Sequence, residues 1–412
     1  MKLLSRAPSL RRTVLGGLGG MAVLQGAIVA VISTLAARRK RRHQSQGFPH
    51  ERLADTAVGE NYLQVYSYGR ELYDAMLAAI DGGQESVYLE TFIWKDDAVG
   101  HEFKERLARK AASGVDVRVI FDSFGNLVVP RAFKRFPPAV HALEYRAICR
   151  PWHVLDPRHY ALEHRKLLVV DGRVAFIGGY NLGSLYATEW RDTHLRVEGP
   201  GAAQLAQLFV YFWNNHTARD ERIVRHYPRA FDPLFVPHGN DAARLAFPIR
   251  DTYISAVDRA ERYILITNAY FVPDRALLGA LTAAAARGVD TQVLLPRISN
   301  HTLADWMARR LFDECLRAGV RIFRYKAMIH AKTCTIDGQW SMIGSANLDR
   351  LSSLGNHELN VEIYSPDLAG QMETLFESDK TNAVELTLDE WTARPWYAKA
   401  AEHILAPLRV LV

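Results

Sequence analysis

The chain has 412 residues, 49% hydrophobic and 23% charged, which suits a folded protein of one large or two ordinary domains rather than a disordered one. Its formal charge of +6 is concentrated at the start: residues 1–50 hold nine Lys or Arg and no acid, which leaves 42 basic against 45 acidic residues, near −3, for the rest. A body of that sign argues against a nucleic-acid-seeking surface, and the scattered Cys149, Cys315 and Cys334 imply neither a disulfide framework nor a zinc site.

In chain order, the first element is the uncharged run Val14–Ala37. At 24 residues it is long enough to cross a bilayer, which takes about 20. The alternative is a cleaved signal peptide, whose apolar core usually spans only about 7–15 residues. The cluster Arg38–Arg42 that follows is what retains a helix, and it favours a cytoplasmic catalytic region. Residues 1–50 are therefore expected to be a membrane anchor with basic flanks, followed by domains at 51–235 and 236–412.

The strand-like run Ser86–Trp94 comes next, then a helical stretch Phe103–Ser113 and the run Gly114–Ile120. Later, Leu167–Val170 leads through Asp171-Gly172, a good hairpin pair, to Val174–Ile177. The order then repeats: Tyr263–Phe271, Ala276–Arg287, Gly288–Leu294, Thr333–Ile336, Asp337-Gly338 and Trp340–Ile343. Strands alternating with helices predict an α/β fold, with each half a mixed sheet flanked by helices. The tail Leu386–Val412 is expected to form a packed helix rather than a segment lying on a membrane.

The second round repeats chemistry as well as pattern. His164, Lys166, Asp171, Gly178 and Asn181 recur as His330, Lys332, Asp337, Gly344 and Asn347, each 166 residues later. Asp192 and Glu358 share that offset, each 28 residues after its histidine. On a strand, residues i and i+2 face one side, so each His-x-Lys pair is expected to point together. The glycines permit close backbone approach, which lets Asn181 and Asn347 swing toward the same place.

In this duplicated pattern the chain resembles the phospholipase D superfamily, and most closely the bacterial cardiolipin synthases. The likeness includes Trp190-Arg191-Asp192-Thr193-His194, Tyr270-Phe271-Val272-Pro273-Asp274 and Asn356-His357-Glu358-Leu359-Asn360, and extends over most of residues 60–380. The chain differs in having one membrane run rather than two, and Gly178-Gly179 where the second copy has Gly344-Ser345.

The resemblance implies two tandem, pseudo-two-fold related domains closing on one site. Its catalytic set would be His164, Lys166, Asp171, His330, Lys332 and Asp337, with His164 as nucleophile and His330 as general acid/base, although the repeat permits the reverse. The lysines would neutralise phosphate oxygens, Asn181 and Asn347 would bind them, and Asp192 and Glu358 would orient the rings. Asp171 and Asp337 would more often order the hairpins than touch substrate. No cofactor and no metal are expected. The implied activity is phosphatidyl transfer to form cardiolipin, with phosphatidylglycerol as donor or acceptor; hydrolysis to phosphatidic acid and nuclease activity are the alternatives. The implied partners are anionic phospholipids and a membrane (the bacterial inner membrane), not nucleic acid, with the oligomeric state open.

Overall fold

The computed structural model describes residues 47–148, 160–227 and 232–405, with the single positions 25, 26, 29 and 34. Apart from those single positions, the expected anchor Val14–Ala37 lies outside the described residues, as do Arg38–Arg42 and Cys149. Among the described residues no helix is long and apolar enough to cross a membrane.

Two eight-stranded mixed sheets form the framework. The first runs, edge to edge, Thr56–Val58, Asn61–Tyr66, His194–Glu198, Val174–Gly178, Leu167–Val170, Ser86–Thr91, Asp116–Asp122 and Val140–Tyr145. The second runs Phe235–Gly239, Leu359–Tyr364, Trp340–Gly344, Lys332–Ile336, Tyr263–Asn268, Asp290–Pro296, Arg321–Tyr325 and Ala383–Leu386. Seven strands correspond, and each sheet adds one of its own at opposite edges.

Local chemistry explains the shared hairpins. Asp171 and Gly172 have φ of 53° and 65°, Asp337 and Gly338 of 54° and 71°. Left-handed backbone at both central positions matches the right-handed twist of the flanking strands. The expected strands through Trp94 and Phe271 stop earlier, at Thr91 and Asn268. Beyond them the chain leaves each main sheet, and Trp94 pairs in parallel with Leu182 as Phe271–Val272 does with Leu348–Asp349. Helices start where an aspartate caps them: Asp97 accepts from Gly100 N before Ala98–Ala112, and Asp274 from Ala276 and Leu277 N before Arg275–Ala286.

The helices Pro200–His216 and Pro366–Thr381 supply much of what joins the halves. One continuous core holds Leu195, Val197, Phe209 and Trp213 of the first half with Phe235, Ile343, Val361 and Leu375 of the second. Each such buried side chain contributes about 1.5–3 kcal/mol. Short parallel pairings also cross between halves reciprocally: Glu163 with His357, and Trp190–Arg191 with Met328–Ile329. Reciprocity of this kind marks a two-fold relationship. The tail forms helices Leu388–Thr392 and Trp396–Leu405, with Trp391 and Leu405 buried and Trp391 5.4 Å from Phe312, ring to ring.

Candidate active site between the halves

Antiparallel pairing sets where each histidine sits. Glu90 opposes Leu167 and Asn268 opposes Lys332, so both His-x-Lys segments meet the carboxyl ends of the neighbouring parallel strands. There the backbone crosses between halves. His164 N donates to His357 O at 3.0 Å, and His330 N to Arg191 O at 2.6 Å. Each acceptor immediately precedes the other half's repeated acid.

The rings follow the backbone. His164 Nδ1 lies 2.9 and 3.0 Å from the two carboxylate oxygens of Glu358, and His330 Nδ1 lies 2.6 Å from Asp192 Oδ2. Each histidine is thus oriented by an acid from the opposite half. With Nδ1–H donated to a carboxylate, Nε2 is left as the lone-pair nitrogen. All four residues are buried.

The Gly-Gly and Gly-Ser difference now has a physical reason. Ser345 Oγ donates to Glu358 Oε2 at 2.5 Å and accepts from Leu359 N at 3.0 Å. In the first half Asp192 occupies the equivalent space and accepts from Thr193 N at 2.8 Å. A Cβ on Gly179 would meet Asp192 Oδ1 at 2.1 Å. The shorter acid lies against bare backbone, the longer one against a hydroxyl.

The lysines depart from simple i, i+2 geometry. The regular strands begin at Leu167 and Lys332, after both histidines. Lys166 Nζ donates to the carbonyl of His164 and Lys332 Nζ to that of His330, each folding back on its own segment. Lys332 Nζ is also 3.0 Å from His330 Nδ1. Lys166 Nζ sits 5.3 Å from the Phe92 ring, which meets the His164 ring edge-on at 4.8 Å. Phe92 has no repeat mate, since the position paired with it across the two copies is Ala269, so a search for repetition passes over it.

Burial dominates the electrostatics. It pulls His164 down to about 4 and His330 to about 3, against the carboxylates that favour their charged forms. It also lowers Lys166 to about 7 and Lys332 to about 8. Burial pushes the two acids upward, yet Lys332 and His330 hold Asp192, and His164 and Lys166 hold Glu358, below the usual carboxylate range. The site therefore contains two neutral rings and two weakened ammonium groups, all of which an entering anion would charge more fully.

Asn181 accepts from Ile93 N at 3.1 Å, and Asn347 Oδ1 is buried without a hydrogen-bond partner. Trp190, Tyr270 and Tyr186 surround His330 at ring distances of 5.5, 6.1 and 6.3 Å. Tyr180 is packed in the core, its hydroxyl donating to Ser67 O. Arg191, beside Asp192, forms a buried bidentate pair with Asp379 of the second half at 3.0 and 2.8 Å. Among the described residues, no three His, Cys, Asp or Glu side chains are grouped to hold a metal ion.

Asp171 and Asp337 stand apart from this cluster, at the far ends of their strands. Asp171 accepts from the amides of Gln84, Glu85 and Ser86 at 2.9, 2.7 and 2.8 Å. Asp337 accepts likewise from Glu261, Arg262 and Tyr263 at 2.8, 2.9 and 2.9 Å. Of the six charged motif positions, the structure brings four together and uses two to lock the entry of a neighbouring strand.

Two equivalent half-sites, each lending its acid to the other's histidine, place the molecule among duplicated two-histidine proteins. The family model described as cardiolipin synthase, PLD-like domain, matches residues 76–213 and again 253–380, and the chain belongs to that family. It is 29% identical to the major cardiolipin synthase ClsA of Bacillus subtilis over 363 residues, covering 84% of this chain and 74% of that protein. It is also 29% identical to a cardiolipin synthase of Listeria welshimeri over 379 residues, 85% and 76% of the two chains. In fold it is similar to a phosphatidylserine synthase of Haemophilus influenzae, with TM-score 0.65 and 13% identity over 91% of this chain and 97% of that one.

Proposed function

We propose that this protein is a phosphatidyltransferase that makes cardiolipin through a phosphohistidine, working at the bacterial inner membrane on a single anchor with its catalytic region cytoplasmic. The crossed pairing of His164 with Glu358 and His330 with Asp192 carries the proposal, because it yields one site with two free Nε2 atoms and two lysines. His164 Nε2 attacks the phosphorus of phosphatidylglycerol, the bond to the glycerol oxygen breaks, and His330 gives that oxygen its proton. The glycerol hydroxyl of a second phosphatidylglycerol then loses its proton to His330 and attacks phosphorus, and the bond to His164 breaks. Lys166 and Lys332 neutralise the nonbridging oxygens, and Asn181 and Asn347 donate hydrogen bonds to them. The anionic substrate itself raises the proton affinity of His330, so the acid forms when it is needed.

Hydrolysis would use the same groups with water as acceptor. Burial of both rings favours an alcohol that excludes water over water itself. The test is incubation of the protein with phosphatidylglycerol liposomes and mass spectrometry of the lipids, with His164→Ala and His330→Ala alongside. Cardiolipin from wild type alone supports the transferase. Phosphatidic acid in its place moves the assignment to a hydrolase, and no lipid product overturns both. A p-nitrophenyl phosphodiester assigns the histidines, since its leaving group needs no proton. His330→Ala would release one equivalent and stop, whereas His164→Ala would release none.

A further inference from the structure

Among the described residues, four exposed apolar side chains obey the internal repeat. Phe124 and Ile298 follow equivalent strands at the 174-residue offset that also relates Gly114 to Gly288, and are 61% and 41% exposed. Leu185 and Leu351 follow the two asparagine loops at the 166-residue offset, and are 43% and 42% exposed. A single exposed leucine needs no explanation, but apolar exposure repeated at matched positions does.

All four lie at the end of the sheets where the histidines sit. Asp122, last residue of the strand before Phe124, accepts from Glu163 N at 2.9 Å, next to His164. Asn300, two residues after Ile298, accepts from the hydroxyl of Tyr270, whose ring flanks His330. Leu185 precedes Tyr186, another ring beside His330, in the short helix Ser184–Thr188. Leu351 holds the matching place in Arg350–Leu354. The segment after Phe124 adds Val128, 83% exposed.

Charge at this rim opposes that of the body. The segments 123–135, 182–190, 297–301 and 350–355 hold Arg131, Lys134, Arg135, Arg297 and Arg350 against Glu189, and the adjoining loop bonded to Leu182 and Ser184 adds Lys95, Asp96 and Asp97, which leaves these segments net basic while the chain beyond residue 50 is net acidic. Arg131, Arg135, Arg297 and Arg350 are exposed and form no salt bridge among the described residues.

We infer that this rim is a docking face for an anionic phospholipid bilayer, which it meets mouth-down with the pseudo-two-fold axis along the membrane normal. Two-fold-related apolar residues stand at equal height around that axis, the arrangement a planar partner can meet at all points at once. Apolar side chains enter the acyl boundary while the arginines stay at the phosphates. The inference rests on the phosphatidyltransferase proposal, since a site for membrane lipids gains from opening directly onto them.

The test uses the full chain with Cys149 replaced by serine; Cys315 and Cys334 are buried. An environment-sensitive fluorophore is placed at Val128→Cys, at Leu351→Cys, or at Val224→Cys. Val224 is 80% exposed beside Arg225, which pairs with Glu85 at the opposite, Asp171 end. On adding phosphatidylglycerol vesicles, the first two probes are expected to shift to the blue and lose emission when the lipid is brominated, while the third does neither. Silence at positions 128 and 351, or equal quenching at 224, overturns the docking face. So does a blue shift that grows with protein concentration without vesicles, which would make the rim a contact between copies. The probes report insertion, not turnover. A protein that inserts but leaves phosphatidylglycerol unchanged would sink the proposed function alone.

Discussion

His164 Nδ1 lies within 3.0 Å of both carboxylate oxygens of Glu358, a residue 194 positions further along the chain and in the other half of the molecule. His330 Nδ1 has the reciprocal relation, 2.6 Å from Asp192, 138 positions earlier. Neither half therefore contains an oriented histidine of its own.

The first prediction concerns these acids. Glu358→Gln and Asp192→Asn keep size and fold but stop holding the Nδ1–H tautomer. Each is expected to lower kcat by about 10²–10⁴-fold, the scale set by mis-oriented catalytic histidines elsewhere. Steady-state rates on phosphatidylglycerol with circular dichroism as a folding control decide it. Near-wild-type kcat in either variant would show that the acid is a structural ion-pair partner only.

Gly179 separates the two halves. Gly179→Ala places a Cβ 2.1 Å from Asp192 Oδ1, so the carboxylate must move off His330. Ser345→Ala leaves Glu358 in place but removes one donor from its carboxylate and the acceptor of Leu359 N; a hydrogen bond to a charged group is worth about 1.5–3 kcal/mol, or roughly a hundredfold at most. The glycine variant should lose considerably more activity than the serine variant. The opposite order in a side-by-side kcat measurement would contradict the packing argument.

Asp171 and Asp337 should behave as structural residues. Each carboxylate accepts three backbone amides, so Asp171→Asn or Asp337→Asn is expected to cost roughly 1–3 kcal/mol of stability. Thermal unfolding should show the lowered Tm, while kcat measured well below Tm stays near wild type. A large kcat loss at unchanged Tm would return them to the catalytic set.

Acid should destabilise the fold. Burial lowers His164 to about 4 and His194, His330 and His357 to about 3, from an ordinary value of 6.5. Between about 4 and 6.5 the unfolded chain binds protons that the native one refuses. Stability therefore rises with pH through that window and is lost as pH falls. Each ring contributes up to about 1.4 kcal/mol per pH unit. Asp192 and Glu358, held low in the native state, act in the same direction at lower pH. Calorimetry between pH 4 and 7.5 should show Tm falling on acidification, and a flat Tm would refute the buried neutral rings.

Much of this was legible from residue order alone. Duplicated spacing singled out His164, Lys166, Asp192 and their mates, which the structure gathers into one cluster, and also Asp171 and Asp337, which it does not. Asp171-Gly172 and Asp337-Gly338 announced their hairpins, because left-handed turns select those residues locally. Phe92 escaped notice because it has no repeat mate and its importance comes from a ring contact.

The sequence by itself determined that one set of residues occurs twice at a common offset of 166. Spacing along a strand or through a turn is local physics and is written in neighbouring residues. The pairing of each acid with its histidine was decided only by the tertiary structure. Asp192 and Glu358 each follow their own histidine by the same 28 residues, so nothing local distinguishes a pairing within a half from one between halves. The shared core and the reciprocal backbone bonds, His164 N to His357 O and His330 N to Arg191 O, bring each acid to the other half's ring.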